Sequence, residues 1–121
     1  MSYEFSAIFA ALRPIYASHA EHCIVLDDMP ERYFLGTHEI REKDGYRTEF
    51  GGVQIRRSYV SAYLMPVYIH PALADDLSPS LLKRRQGKSC FNFKRLDAGL
   101  FDEFAALVQS GVAQFKRDGR L

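Results

Sequence analysis

An excess of charge of either sign is missing from this chain. Its 16 Lys and Arg stand against 15 Asp and Glu, for a formal net charge of +1. No global field therefore gathers nucleic acid or an anionic membrane, and only a local patch could do so. Cysteine is scarce too. Cys23 and Cys90 lie far apart with neither CxxC spacing nor an obvious partner, which argues against a disulfide framework or a structural zinc site and for a reducing compartment. No run approaches the roughly 18 apolar residues of a spanning helix, and the N-terminus lacks the basic and apolar regions of a secretory signal. These absences lead us to expect a soluble cytoplasmic protein with no membrane partner.

What is present points to a folded core. Apolar residues make up 47% of the 121, and Phe and Tyr are spread along the whole length, which excludes a long disordered arm. A chain of this length buries roughly two thirds of its unfolded surface, so the expectation is one domain spanning 1–121.

Phe5, Ile8, Phe9, Leu12, Ile15, Tyr16 and His19 recur at helical steps, with a bend or restart expected at Pro14. Four β-prone runs follow: Cys23 to Asp27, Arg32 to Arg41, Tyr46 to Arg56 and Tyr59 to Ile69. Asp44-Gly45 signals a tight primed hairpin turn, and Arg56-Arg57-Ser58 marks a second turn. Gly51-Gly52 would suit a bulge or a close backbone approach at the edge of a groove. Ser78-Pro79 opens a short helix that Gly87 would close. In Ser89 to Arg95, Phe91 and Phe93 alternate with Cys90, Asn92 and Lys94, as in a half-buried strand. Asp97 can cap a last helix with Leu100, Phe101, Phe104, Leu107, Val108, Val112 and Phe115 on one face, ending at Lys116-Arg117-Asp118-Gly119. The predicted fold is α+β: a two-layer sandwich with an antiparallel sheet of about five strands and the N- and C-terminal helices packed on it.

Several groups could carry chemistry. Gly87-Lys88-Ser89 ends like a phosphate loop, but Leu82 stands where that motif needs glycine and a strand follows where it needs a helix, so the nucleotide reading is rejected. Lys83, Arg84, Arg85 and Lys88, joined by Lys94 and Arg95, could grip an anion. The plainer reading is that cations in the last turn of a short helix complement its negative end. Arg84, Lys88 and Lys94 form the best anion-binding candidate. Cys90 has cations near it in sequence that could lower its pKa, yet no base can be placed beside it. His19, Glu21, His22 and Cys23 cluster near the end of the first helix, and Asp27, Asp28 and Glu31 flank Pro30. Neither group has a convincing metal-ligand pattern. Tyr59, Ser61 and Tyr63 share one strand face, followed by Met65 and Tyr68, and such a face can line an apolar pocket with polar handles.

The strand Tyr59 to Leu64, the GKxCxxFK-type stretch 87–94 and the closing helix with Leu100 and Phe104 resemble the YdhG-like domains of unknown function. The resemblance implies a small sandwich similar to the frataxin fold, in a family where some members look like bacterial iron chaperones. The leading expectation is a non-enzymatic binding module for a small ligand or protein partner, with Tyr59, Tyr63, Tyr68, Arg84, Lys88 and Lys94 as its ligand-binding residues. A frataxin-like iron-binding chaperone is the second expectation, and anion or nucleic-acid binding through the basic patch a third. No catalytic residue, metal ligand or cofactor is assigned. The expected partner is a small-molecule or anionic ligand, a homodimer is left open, nucleic acid is disfavoured, and an enzyme with Cys90 as nucleophile ranks last.

Overall fold

The computed structural model describes residues 3–121, so the first two residues of the expected domain 1–121 lie outside the described residues. Helix α1 (Tyr3–Ala17) forms where apolar residues recur every three or four positions, and it buries Ile8, Phe9, Leu12 and Tyr16 along one stripe. It does not restart at Pro14, which lies inside it. Pro14 and Ala10, whose carbonyl loses its donor, are both exposed, so water can take the place of the missing bond.

A short 3-10 turn, Ala20–His22, leads to an antiparallel meander of β1 (Ile24–Met29), β2 (Arg32–Ile40), β3 (Arg47–Ile55) and β4 (Val60–Leu64). The β2–β3 connection is wider than the two-residue turn that Asp44-Gly45 suggests. Arg41 N donates to Tyr46 O, Gly45 N donates to Arg41 O, and Gly45 alone takes a positive φ, 71°. Asp44 stays out of the left-handed region, and its carboxylate takes the Arg41 guanidinium and Tyr46 N instead. In β3, Leu35 pairs with Gly51 while Gly36 pairs with Glu49, leaving Phe50 as the extra residue of a bulge.

Strand β4 stops at Leu64, short of the expected Ile69, and Met65–Ile69 forms helix α2. Proline explains the change: Pro66 cannot donate to a sheet ladder but fits the first turn of a helix. Helix α3 (Pro79–Leu82) is capped by Ser78, whose Oγ accepts from Leu81 N. It ends at Leu82 rather than Gly87. Arg85–Gln86 forms the two-residue strand β5, paired with β6 (Cys90–Phe93), and Gly87 with φ 68° lies in the turn of that hairpin. Helix α4 (Ala98–Arg117) starts where Asp97 Oδ1 accepts from Leu100 N. It ends in a Schellman arrangement, Gly119 N donating to Lys116 O and Arg120 N to Phe115 O.

The result is an α+β two-layer sandwich with a six-stranded sheet in the order β1-β2-β3-β4-β6-β5, one short strand more than expected. Between sheet and helices, Phe104 of α4 meets the rings of Tyr16, Phe91 and Phe93 at 6.1, 5.3 and 6.0 Å. Each such pair contributes about 0.5–1.5 kcal/mol beyond the area it buries. Among the described residues no helix is long and apolar enough to cross a membrane. With α1 and α4 packed on the core side, the alternate residues of every strand point to a second, open side.

Candidate ligand-binding face

Register decides which side chains meet on that open side. Phe34 pairs with Gly52, Gly52 with Tyr63, Tyr63 with Cys90 and Cys90 with Gln86, so these five form one row across the sheet. Two residues along each strand, Arg32, Gln54, Ser61 and Asn92 form a second, polar row. Beyond it the β3–β4 turn brings Arg56 beside Tyr59, with Arg56 N donating to Tyr59 O.

Glycine makes the first row possible. A Cβ on Gly52 would lie 2.5 Å from Phe34 Cγ and 2.3 Å from Tyr33 O, so the Phe34 ring settles over Gly52 and stacks on Tyr63, with centroids 6.2 Å apart at 24°. Gly51 permits a second close approach, since its Cβ would sit 2.2 Å from Tyr63 O. That same carbonyl accepts the Tyr16 hydroxyl at 2.8 Å, tying the floor of the face to helix α1. The Arg32 guanidinium lies 4.0 Å over Phe34 and donates to Asp27 and Gln54. Burial, and then the charge of Glu49, pushes the Tyr63 phenol up to about 12. Tyr63 is therefore a neutral hydroxyl near neutral pH, and it donates to Met65 Sδ at 3.5 Å.

Glu49 and Gln54 of β3 and Arg56 just beyond it lie on the same side. With Phe34, Ser61, Tyr63 and Cys90 they enclose a hollow of about 200 Å³. A neighbouring hollow of about 380 Å³ is lined by Tyr59, Arg84, Asn92 and Lys94 among others. A third, of about 450 Å³, shares Lys83, Arg84 and Lys94 with it and reaches Asp97 and Leu100. No histidine lines the hollow that holds Cys90.

The expected tyrosine face is thus divided. Tyr59, Ser61 and Tyr63 keep to the open side, with Tyr59 next to Arg84 and Lys94 and Tyr63 next to Phe34. Tyr68 has left the strand with Pro66. It lies on α2, 52% exposed, with Lys88 Nζ 5.4 Å from its ring centroid. Lys88 is accordingly separated from Arg84 and Lys94. The basic cluster is not the last turn of a helix either: α3 has no basic residue in that turn, and Lys83 and Arg84 follow it. Phe34, Arg32 and Gln54 were not legible as site residues. Phe34 sits within the apolar run Tyr33-Phe34-Leu35, and the available signal was Gly51-Gly52, which sequence reasoning could place at a groove but not opposite a partner.

The other clusters have structural partners. Asp27 pairs with Arg32 at 2.8 Å and Asp28 with Arg13 at 2.9 Å. Cys23 is buried, which pushes its thiol up to about 11. His22 Nε2 lies 3.3 Å from Lys116 Nζ, and His19 is lowered by burial first and then by His22 and Lys116. Among the described residues no three His, Cys, Asp or Glu side chains converge as a metal site. Compared with protein-family models, curated proteins and solved structures, the chain matches none.

Proposed function

We propose that this chain is a non-enzymatic binding module that holds a small ligand on the open side of its sheet. The observation that carries this reading is the pairing of an aromatic floor, Phe34 on Tyr63, with the polar row Gln54, Ser61 and Asn92 beside hollows of about 200 and 380 Å³. Sites for small molecules combine an apolar platform with a few fixed polar groups in this way. The floor is rigid because it is built from paired strands and pinned through Tyr16. The cytoplasm as its compartment and the likeness of its second half to the YdhG-like domains belong to the same reading, supported by two unpaired cysteines and by the α+β sandwich.

A thermal-shift screen of metabolites tests it. A ligand at ~100-fold excess over its Kd stabilises the native state by about 2.7 kcal/mol. At least one compound should raise the midpoint, and Ser61→Trp, which fills the hollow, should abolish the rise. A screen in which nothing raises it refutes the proposal.

A further inference from the structure

Opposite charges are paired unevenly over this molecule. Asp27, Asp28, Glu39, Asp44 and Asp118 all sit in ion pairs, with arginines 13, 32, 41 and 120 or with His70. From Leu77 to Leu96, by contrast, there are six Lys and Arg and no Asp or Glu, and none of the six is in an ion pair among the described residues. Two of them are occupied by the fold itself. Arg85 donates through Nε and Nη2 to Lys88 O, and Lys88 reaches the Tyr68 ring.

Of the other four, Lys83, Arg84 and Lys94 surround one concavity, which Arg85 also lines and which lies on the open side because Tyr59 and Asn92 line it too, while Arg95 lines the adjoining hollow. Rigid elements carry these cations. Arg84 O accepts from Asn92 N at 2.8 Å, fixing the turn after α3 to β6, and Lys94 directly follows β6. Asp97, the carboxylate that lines the adjoining hollow, is engaged at the N-terminus of α4.

We propose that this hollow seats the phosphate of a small phosphate ester, with Arg84 and Lys94 as its clamp and the organic part lying past Tyr59 toward Ser61 and Tyr63. The inference rests on the open side being the binding face and adds the class of ligand. A phosphate monoester carries close to two negative charges near neutral pH and three acceptor oxygens, which matches several unpaired cations better than a single carboxylate does. A single-stranded nucleic acid fits less well. It needs a succession of free stacking rings, whereas Phe34 is 8% exposed with the Arg32 guanidinium over its ring, and Tyr68 is engaged by Lys88.

Calorimetric titration with phenyl phosphate, inorganic phosphate, phenol and a single-stranded oligonucleotide decides between these. Phenyl phosphate should bind saturably at one site and more tightly than inorganic phosphate. Arg84→Gln and Lys94→Gln should each weaken it tenfold or more, and Lys43→Gln, which removes the same charge far from the hollow, should leave it unchanged. Equal weakening by all three variants would overturn the proposal, as would an oligonucleotide that binds more tightly than phenyl phosphate. If phenol binds the open side while the phosphate group adds nothing, the phosphate inference fails and the binding face stands. If neither phenol nor phenyl phosphate binds and no screened compound raises the midpoint, both fail.

Discussion

At Gly52 an added methyl group would run into the backbone of β2, because its two nearest neighbours would be Tyr33 O at 2.3 Å and Phe34 Cγ at 2.5 Å. Gly36, on the same strand pair, would meet side chains rather than backbone, Arg47 Cδ at 3.0 Å and Leu26 Cδ1 at 3.1 Å. Gly52→Ala should therefore destabilise the fold by about 2–3 kcal/mol through overpacking. Gly36→Ala, where a shift of a few tenths of an ångström relieves the contact and the unfolded chain loses entropy, should stay within about 1 kcal/mol of the parent. Urea denaturation of the two variants measures the difference, and equal losses would mean that Phe34 does not lie over Gly52. The same residues show what sequence can carry. Ser61 and Tyr63 were legible because a strand alternates. The role of Phe34 depends on which residue of β3 stands opposite, and that is fixed by a bulge at Phe50, which Gly51-Gly52 pointed to without setting the register.

Among the elements, those with a capping side chain or a long apolar stripe were readable in advance: α1, α4 and the start of α3, whereas α2 lies in a run that reads as strand despite Pro66. The stretch from Leu82 to Gly87 was not, because two residues of strand are too short to show a period and a glycine ends a helix or turns a hairpin equally well. Helix α4 is tied to the sheet by its last turn. His70 Nε2 meets Asp118 Oδ2 at 2.6 Å, Arg120 pairs with Glu39, and Arg120 O accepts from His38 N. The hydrogen bond from His70, then that from Gln114, holds the Asp118 carboxyl below its ordinary value of 3.8. The native state consequently binds fewer protons at this site than the unfolded chain. The stabilisation is complete above the ordinary value and is lost as pH falls through the lower folded one. Melting temperatures taken from pH 7 down to pH 3 should fall below about pH 4, and Asp118→Asn should lose that part of the acid dependence while being less stable at neutral pH. An unchanged acid limb in the variant would contradict the clamp.

On the scale of the whole molecule, the sandwich separates two kinds of surface. One side of the sheet is closed by α1 and α4 over rings such as Phe91, Phe93 and Phe104. The other carries polar and aromatic side chains, with the unpaired cations gathered at its β6–β5 end. A formal charge of +1 hides this arrangement, since none of the acids that balance the total lies between Leu77 and Leu96, and five of them are paired with other arginines or with His70. Composition revealed only the sum, and alternation revealed the two sheet faces without their order. The most direct test is an amide chemical-shift map of isotopically labelled protein titrated with phenyl phosphate. Shifts concentrated at Ser61, Tyr63, Cys90 and Asn92, with the amides of α1 and α4 still, are the predicted result. Shifts confined to the helical layer or to β1, or none at all, would contradict the assignment of the open sheet side as the binding face.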